Sequence, residues 1–139
     1  MANIHASDFN NKPLHMQAFG NAWTDDYSVT AAPKIADKVY FGIIPAGVRV
    51  YGVVLKHHAA GTSATAKLGF EPMEGDAPTA DDDYWAAAGT SVVAAGVITS
   101  TASPITFDRP VKIVLTAAGA DFASGAMSVV VTGKTIGVA

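Results

Sequence analysis

The 139-residue sequence predicts an all-β protein, an antiparallel two-sheet β-sandwich of jelly-roll or immunoglobulin-like type carrying an extended N-terminal arm. Three observations carry that expectation. Runs of four to eleven residues are rich in Val, Ile, Tyr, Phe and Thr; several alternate apolar with polar residues at period two; and Gly, Pro, Ala and Ser separate them at turn spacing. No segment sustains a helical period, and AAAGTSVVAAG at 86–96 is interrupted by Gly89, Thr90, Val92 and Val93.

Residues 1–26 form the arm and residues 27–139 the sandwich domain. The arm scatters Ile4, Phe9, Leu14, Met16, Phe19 and Trp23 among Asn10, Asn11, Pro13, Gly20 and Asn21. That is too apolar for a solvated tail, so it either folds back on its own domain or docks on another chain. Tyr27–Ala31 is a short first strand. KVYFGII, residues 38–44, is a strand that stops at Pro45-Ala46-Gly47, and GVRVYGVVLKH, residues 47–57, is the longest one. The turn AAGTS at 59–63 leads into 64–70, where Ala64, Ala66, Leu68 and Phe70 alternate with Thr65, Lys67 and Gly69. These two runs are expected to pair as a hairpin.

After an acidic segment, strands are expected around Ser91–Ala94 and Val97–Thr101. Pro104–Phe107 is a short strand that turns at Asp108-Arg109-Pro110. Val111, Ile113 and Leu115 then alternate with Lys112, Val114 and Thr116, and the loop AAGADFASG leads to a partner strand whose inward face is Met127, Val129 and Val131.

Composition narrows the function. The longest apolar runs are far short of the roughly 20 residues that cross a bilayer, and the N-terminus has no signal-peptide pattern. Absence of cysteine removes disulfides, thiolate metal sites and cysteine nucleophiles. Nine basic residues are scattered singly against twelve acidic ones, so no basic stripe exists for nucleic acid. Charged residues make up 15%, below the usual quarter, which points to surface covered by partner subunits.

The chemical candidates are few. EPMEGDAPTADDDYW, residues 71–85, holds Glu71, Glu74, Asp76, Asp81, Asp82 and Asp83. No calcium-loop register fits, Pro72 and Pro78 interrupt it, and consecutive aspartates on an extended chain face opposite ways, so the segment reads as the solvated crest of a loop. His57-His58 lacks a third ligand at metal spacing. No nucleophile elbow or phosphate-binding glycine motif occurs. No catalytic, cofactor or metal residue is nominated, and the protein is expected not to be an enzyme. Tyr84-Trp85 is either a structural pair, closing one end of the sandwich or packing at a subunit contact, or a sugar-stacking platform.

Between residues 38 and 132 the sequence resembles the small decoration, or cement, proteins of tailed bacteriophages. The resemblance rests on Ile44-Pro45-Ala46-Gly47, Leu68-Gly69-Phe70-Glu71-Pro72, the loop to Asp83-Tyr84, the AAGT run at 87–90, and Pro104-Ile105-Thr106-Phe107. It implies a structural protein made in the host cytoplasm that binds the outside of an assembled capsid. There it clamps neighbouring capsomers, with the major capsid protein and its own copies, often as a homotrimer, as partners. On that reading Phe9, Leu14, Phe19 and Trp23 of the arm are the expected capsid or intersubunit contacts. The alternative is a carbohydrate- or receptor-binding sandwich displayed on a virion or cell surface.

Overall fold

Ten β-strands and no helix build the described part of the chain, which in this computed structural model comprises residues 2–6 and 22–136, with residues 22 and 23 described by backbone alone. The strands are β1 (Asn3–His5), β2 (Ala22–Ala31), β3 (Lys38–Ile44), β4 (Val48–His57), β5 (Thr65–Pro72), β6 (Asp81–Ser91), β7 (Gly96–Thr99), β8 (Ile105–Thr106), β9 (Val111–Ala118) and β10 (Gly125–Thr135). They form two five-stranded sheets. The first runs β1-β3-β9-β5-β6; the second runs β2-β10-β4-β7, with β8 paired to β4.

Period-two patterning decides what the sheets bury. Val39 opposes Leu115, which opposes Leu68, on one face of the first sheet. Tyr27, Val29, Leu55, Met127, Val129 and Val131 line the facing side of the second, and all of these belong to one continuous core. The inward positions expected on residues 64–70, 111–115 and 127–131 are all buried. An all-β sandwich is therefore the observed class.

Three local expectations are corrected. The runs 47–57 and 64–70 do not form a hairpin: β4 lies in the second sheet and β5 in the first, so the connection crosses the sandwich, and so does the one between β9 and β10. Period two specifies which face of a strand is buried but not which neighbour it pairs with. Second, the strand expected to begin at Ser91 ends there, and the chain before it from Asp81 is β6. Third, Asp81–Asp83 are part of that strand, not the crest of a loop. Strand structure also occupies Asn3–His5, parallel to β3, and Ala22–Asp26, paired with β10.

Two glycines are fixed by close approach. A side chain on Gly42 would collide with the Tyr27 ring, and one on Gly69 would collide with the backbone of Asp81 and Asp82. The second case explains the β5–β6 register, in which Leu68 pairs with Ala86 and Phe70 with Asp81. A single residue on β5 faces four on β6, so the strand bulges at residues 82–85.

Candidate assembly surface

The outer face of the first sheet is not bare. Tyr40 and Val114 point away from the main core yet are buried, forming a second small cluster with Ile43 and Met73. Tyr40, Val114 and Gly69 lie in one row across β3, β9 and β5, and the backbone of residues 81–82 passes over its glycine end. The acidic stretch thus folds back over β5 at Gly69. Its first carboxylate is wired into it: Glu71 accepts from Lys38 Nζ at 2.7 Å and from Tyr40 Oη at 3.0 Å, with Lys112 Nζ 3.9 Å away. Lys112 also stands 4.5 Å above the Tyr40 ring. Burial, with the Glu71 carboxylate beside it, pushes the Tyr40 hydroxyl up to about 12.

The remaining acids behave differently. Lys67 pairs with Asp82 at 2.9 Å. Burial and the neighbouring Asp83 raise Asp81 above the ordinary carboxylate value. Among the described residues no group of three or more His, Asp or Glu side chains could hold a metal ion. His58 donates Nε2–H to the Ala123 carbonyl at 2.6 Å, sets its ring edge against Phe122, and fills the space a side chain at Gly125 would need. That makes it a brace for the loop before β10.

Trp85 is 5% exposed and meets Phe70, Tyr84 and Phe107 in a knot of tilted and edge-to-face rings, with the Phe70 and Phe107 centroids 4.9 Å apart. Tyr84 donates its hydroxyl to the Ser103 carbonyl at 2.7 Å. Of the two readings of this pair, packing at one end of the sandwich is the observed one; a buried indole face has no room for a sugar. Nearby, Ile43, Met73, Glu74, Ala77, Arg109 and Pro110 line an open groove of about 490 Å³.

The second sheet turns a different surface outward. Rows of paired residues read Ser28-Ser128-Lys56-Val97 and Asp26-Val130-Val54-Thr99. Small hydroxyl and aliphatic side chains dominate, and Tyr51 and Val97 stand 48% and 57% exposed.

The sheet edge at β3 carries a site the sequence did not reveal. Asp37, 7% exposed, accepts from Ala2 N–H at 2.7 Å and from Lys34 N–H at 3.0 Å. Those two amides hold its carboxyl below the ordinary value. Asp37 is one aspartate among ten, and nothing in its spacing marks it. Of the expected contact residues, Phe9, Leu14 and Phe19 lie outside the described residues, and Trp23 is placed only through its backbone in β2, opposite Gly133.

These elements define an all-β sandwich whose distinctive features are faces and edges. No protein-family model matches the sequence, and neither does any curated protein. Solved structures do resemble it. A chain in the capsid of Ralstonia phage GP4 superposes with a TM-score of 0.73 at 17% identity, covering 99% of each chain. A chain in the capsid asymmetric unit of cyanophage Pam1 gives 0.61 at 19% identity, covering 90% of this chain and 94% of that one. At such identities the likeness is one of fold. Among the described residues no helix is long and apolar enough to cross a membrane.

Proposed function

We propose that this protein is a non-catalytic structural component of a tailed-phage virion. It binds the outer surface of the assembled capsid as a decoration, or cement, protein and clamps neighbouring capsomers. The observation that carries this reading is the end-to-end likeness to a chain of a phage capsid. Nearly all of both chains superpose, so the likeness extends over the fold and is not confined to a sub-motif. The low charge of the chain and the small hydroxyl and aliphatic side chains on the outer face of the second sheet support it, since such surfaces are inexpensive to desolvate on assembly. Many modest contacts repeated over a lattice add up to firm attachment.

In this reading the major capsid protein and further copies of the chain, as a trimer, are the partners, and Phe9, Leu14, Phe19 and Trp23 are the anchors. The arm and the sandwich, 1–26 and 27–139, divide the work between attachment and oligomer formation. The carbohydrate- or receptor-binding alternative calls for exposed aromatics around Trp85 or Tyr51; Trp85 is buried, which leaves that reading to the 48%-exposed Tyr51 alone.

The test is add-back to particles that lack the protein, followed by reconstruction. Saturable density at regular positions on the outside of the shell is expected; a few copies at one vertex, or none, overturns the proposal. Combined replacement of Phe9, Leu14 and Phe19 by Ala is expected to lower occupancy while leaving the melting temperature of the free protein unchanged.

A further inference from the structure

β1 is three residues long, and what holds it is almost entirely a receptor on the neighbouring chain segment, 34–40. Asp37 takes the Ala2 amide at 2.7 Å, Lys38 donates its own amide to the Ala2 carbonyl at 3.2 Å, and Ala6 donates to the Tyr40 carbonyl at 3.0 Å. The His5 ring stacks on Tyr40 with centroids 5.0 Å apart, and Ile4 and Ala6 face the core cluster. The receptor is organised without β1: Asp37 closes its own turn through Lys34 N–H at 3.0 Å and its amide to the Lys34 carbonyl at 2.9 Å, and Ala36 and Ala117 are tied to it through backbone bonds. It therefore selects an extended backbone with an apolar residue at alternate positions, whichever chain supplies it.

The connection to the rest of the protein is far longer than its path. β1 runs parallel to β3, so the chain leaves Ala6 beside Tyr40, heading toward Ile44. Ala22 starts β2 opposite Lys134, which pairs with Arg49, at the same end of the sandwich. Roughly six extended residues would cover that path, given about 3.3 Å per residue along a strand and about 10 Å between sheets. The sequence supplies fifteen, residues 7–21. Fully extended they reach about 50 Å, more than the roughly 37 Å diameter expected of a domain this size.

We infer that the β3 edge between Lys34 and Tyr40 is a docking site for residues 2–6 of a second copy of this chain, so that neighbouring subunits exchange β1. Exchange keeps every contact named above and changes only which chain provides the strand, which makes it a low-cost way to join subunits. The balance is set by the tether against the local concentration of copies. A long tether lowers the advantage of the chain's own strand, and a crowded lattice raises that of the neighbour's. The inference rests on the proposed function only in that assembly places copies side by side.

The chain has no cysteine, so a new pair reports cleanly. Asn3 and Lys38 are register partners on the outer side of the pair. The double variant Asn3→Cys/Lys38→Cys, oxidised as the pure protein at high concentration and again on decorated particles, is expected to give covalent species of two or more chains on non-reducing gels. Single chains closed on themselves, or no cross-link at all, overturn the inference. Mixing the separate Asn3→Cys and Lys38→Cys variants must give a product containing one of each, and its absence has the same force. Particle occupancy is read independently: cross-linked multimers of the pure protein with no binding to capsids would sink the decoration reading and leave strand exchange standing, and the converse result would do the opposite.

Discussion

The two outer faces of the sandwich differ more than their sequences suggest. Each comes from the non-core positions of alternating strands. On the first sheet, Tyr40 and Val114 make a second buried cluster with the partly buried Ile43 and Met73, and Glu71 is locked between Lys38, Tyr40 and Lys112. On the second, Ser28, Ser128, Val130, Val54 and Thr99 lie in open rows. The lesson is that a face becomes interior when other groups of the chain cover it. Here Ile43, Met73, Glu71 and Lys112 gather around Tyr40 and Val114, and the acidic run passes over the Gly69 end of the row, which needs that glycine.

The contrast can be broken from the inside outward. Phe107→Ala removes a 1%-exposed ring from the aromatic knot and is expected to cost about 3–5 kcal/mol in urea unfolding, regardless of either outer face. Gly69→Ala tests the crossing itself: the new methyl meets the Asp81 and Asp82 backbone, and a loss of about 1–3 kcal/mol is expected from overpacking. A neutral result would mean that the acidic run does not lie over the sheet.

Glu71→Gln probes the polar half of the covered face. It leaves Lys38 without its carboxylate, and a loss of about 1–2 kcal/mol is expected, together with a fall in the Tyr40 titration toward its ordinary value of 10. The sign follows from the direction of the shift. Because folding raises the Tyr40 value, its contribution to stability is present in full below about pH 10 and is lost as pH rises toward 12. Ultraviolet titration of the tyrosines in both proteins checks this. The smallest effects belong to the open face: Tyr51→Ala and Val97→Ser are each expected to change the stability of the free chain by less than about 0.5 kcal/mol. A larger loss would show that this face is already covered in solution.

Parts of this organisation were legible in the sequence. The span Lys38–Ile44 is the strand its β-branched and aromatic content announces, and Pro45-Ala46-Gly47 ends it with Gly47 at φ 84°. Trp85 could be read as a core aromatic. The Asp37 receptor, the Glu71 network and the pairing of β5 with β9 instead of β4 could not, because each joins residues far apart in the chain.

By itself, the sequence determined the all-β class and the core-facing positions of residues 64–70, 111–115 and 127–131, because side-chain alternation and turn chemistry are local properties of the backbone. Sheet membership of each strand, burial of one outer face, and the role of each carboxylate in residues 71–83 were decided only by the tertiary structure. Those outcomes depend on which segments cross which surfaces, and a strand's own pattern is the same whether its outer face meets water or another stretch of chain.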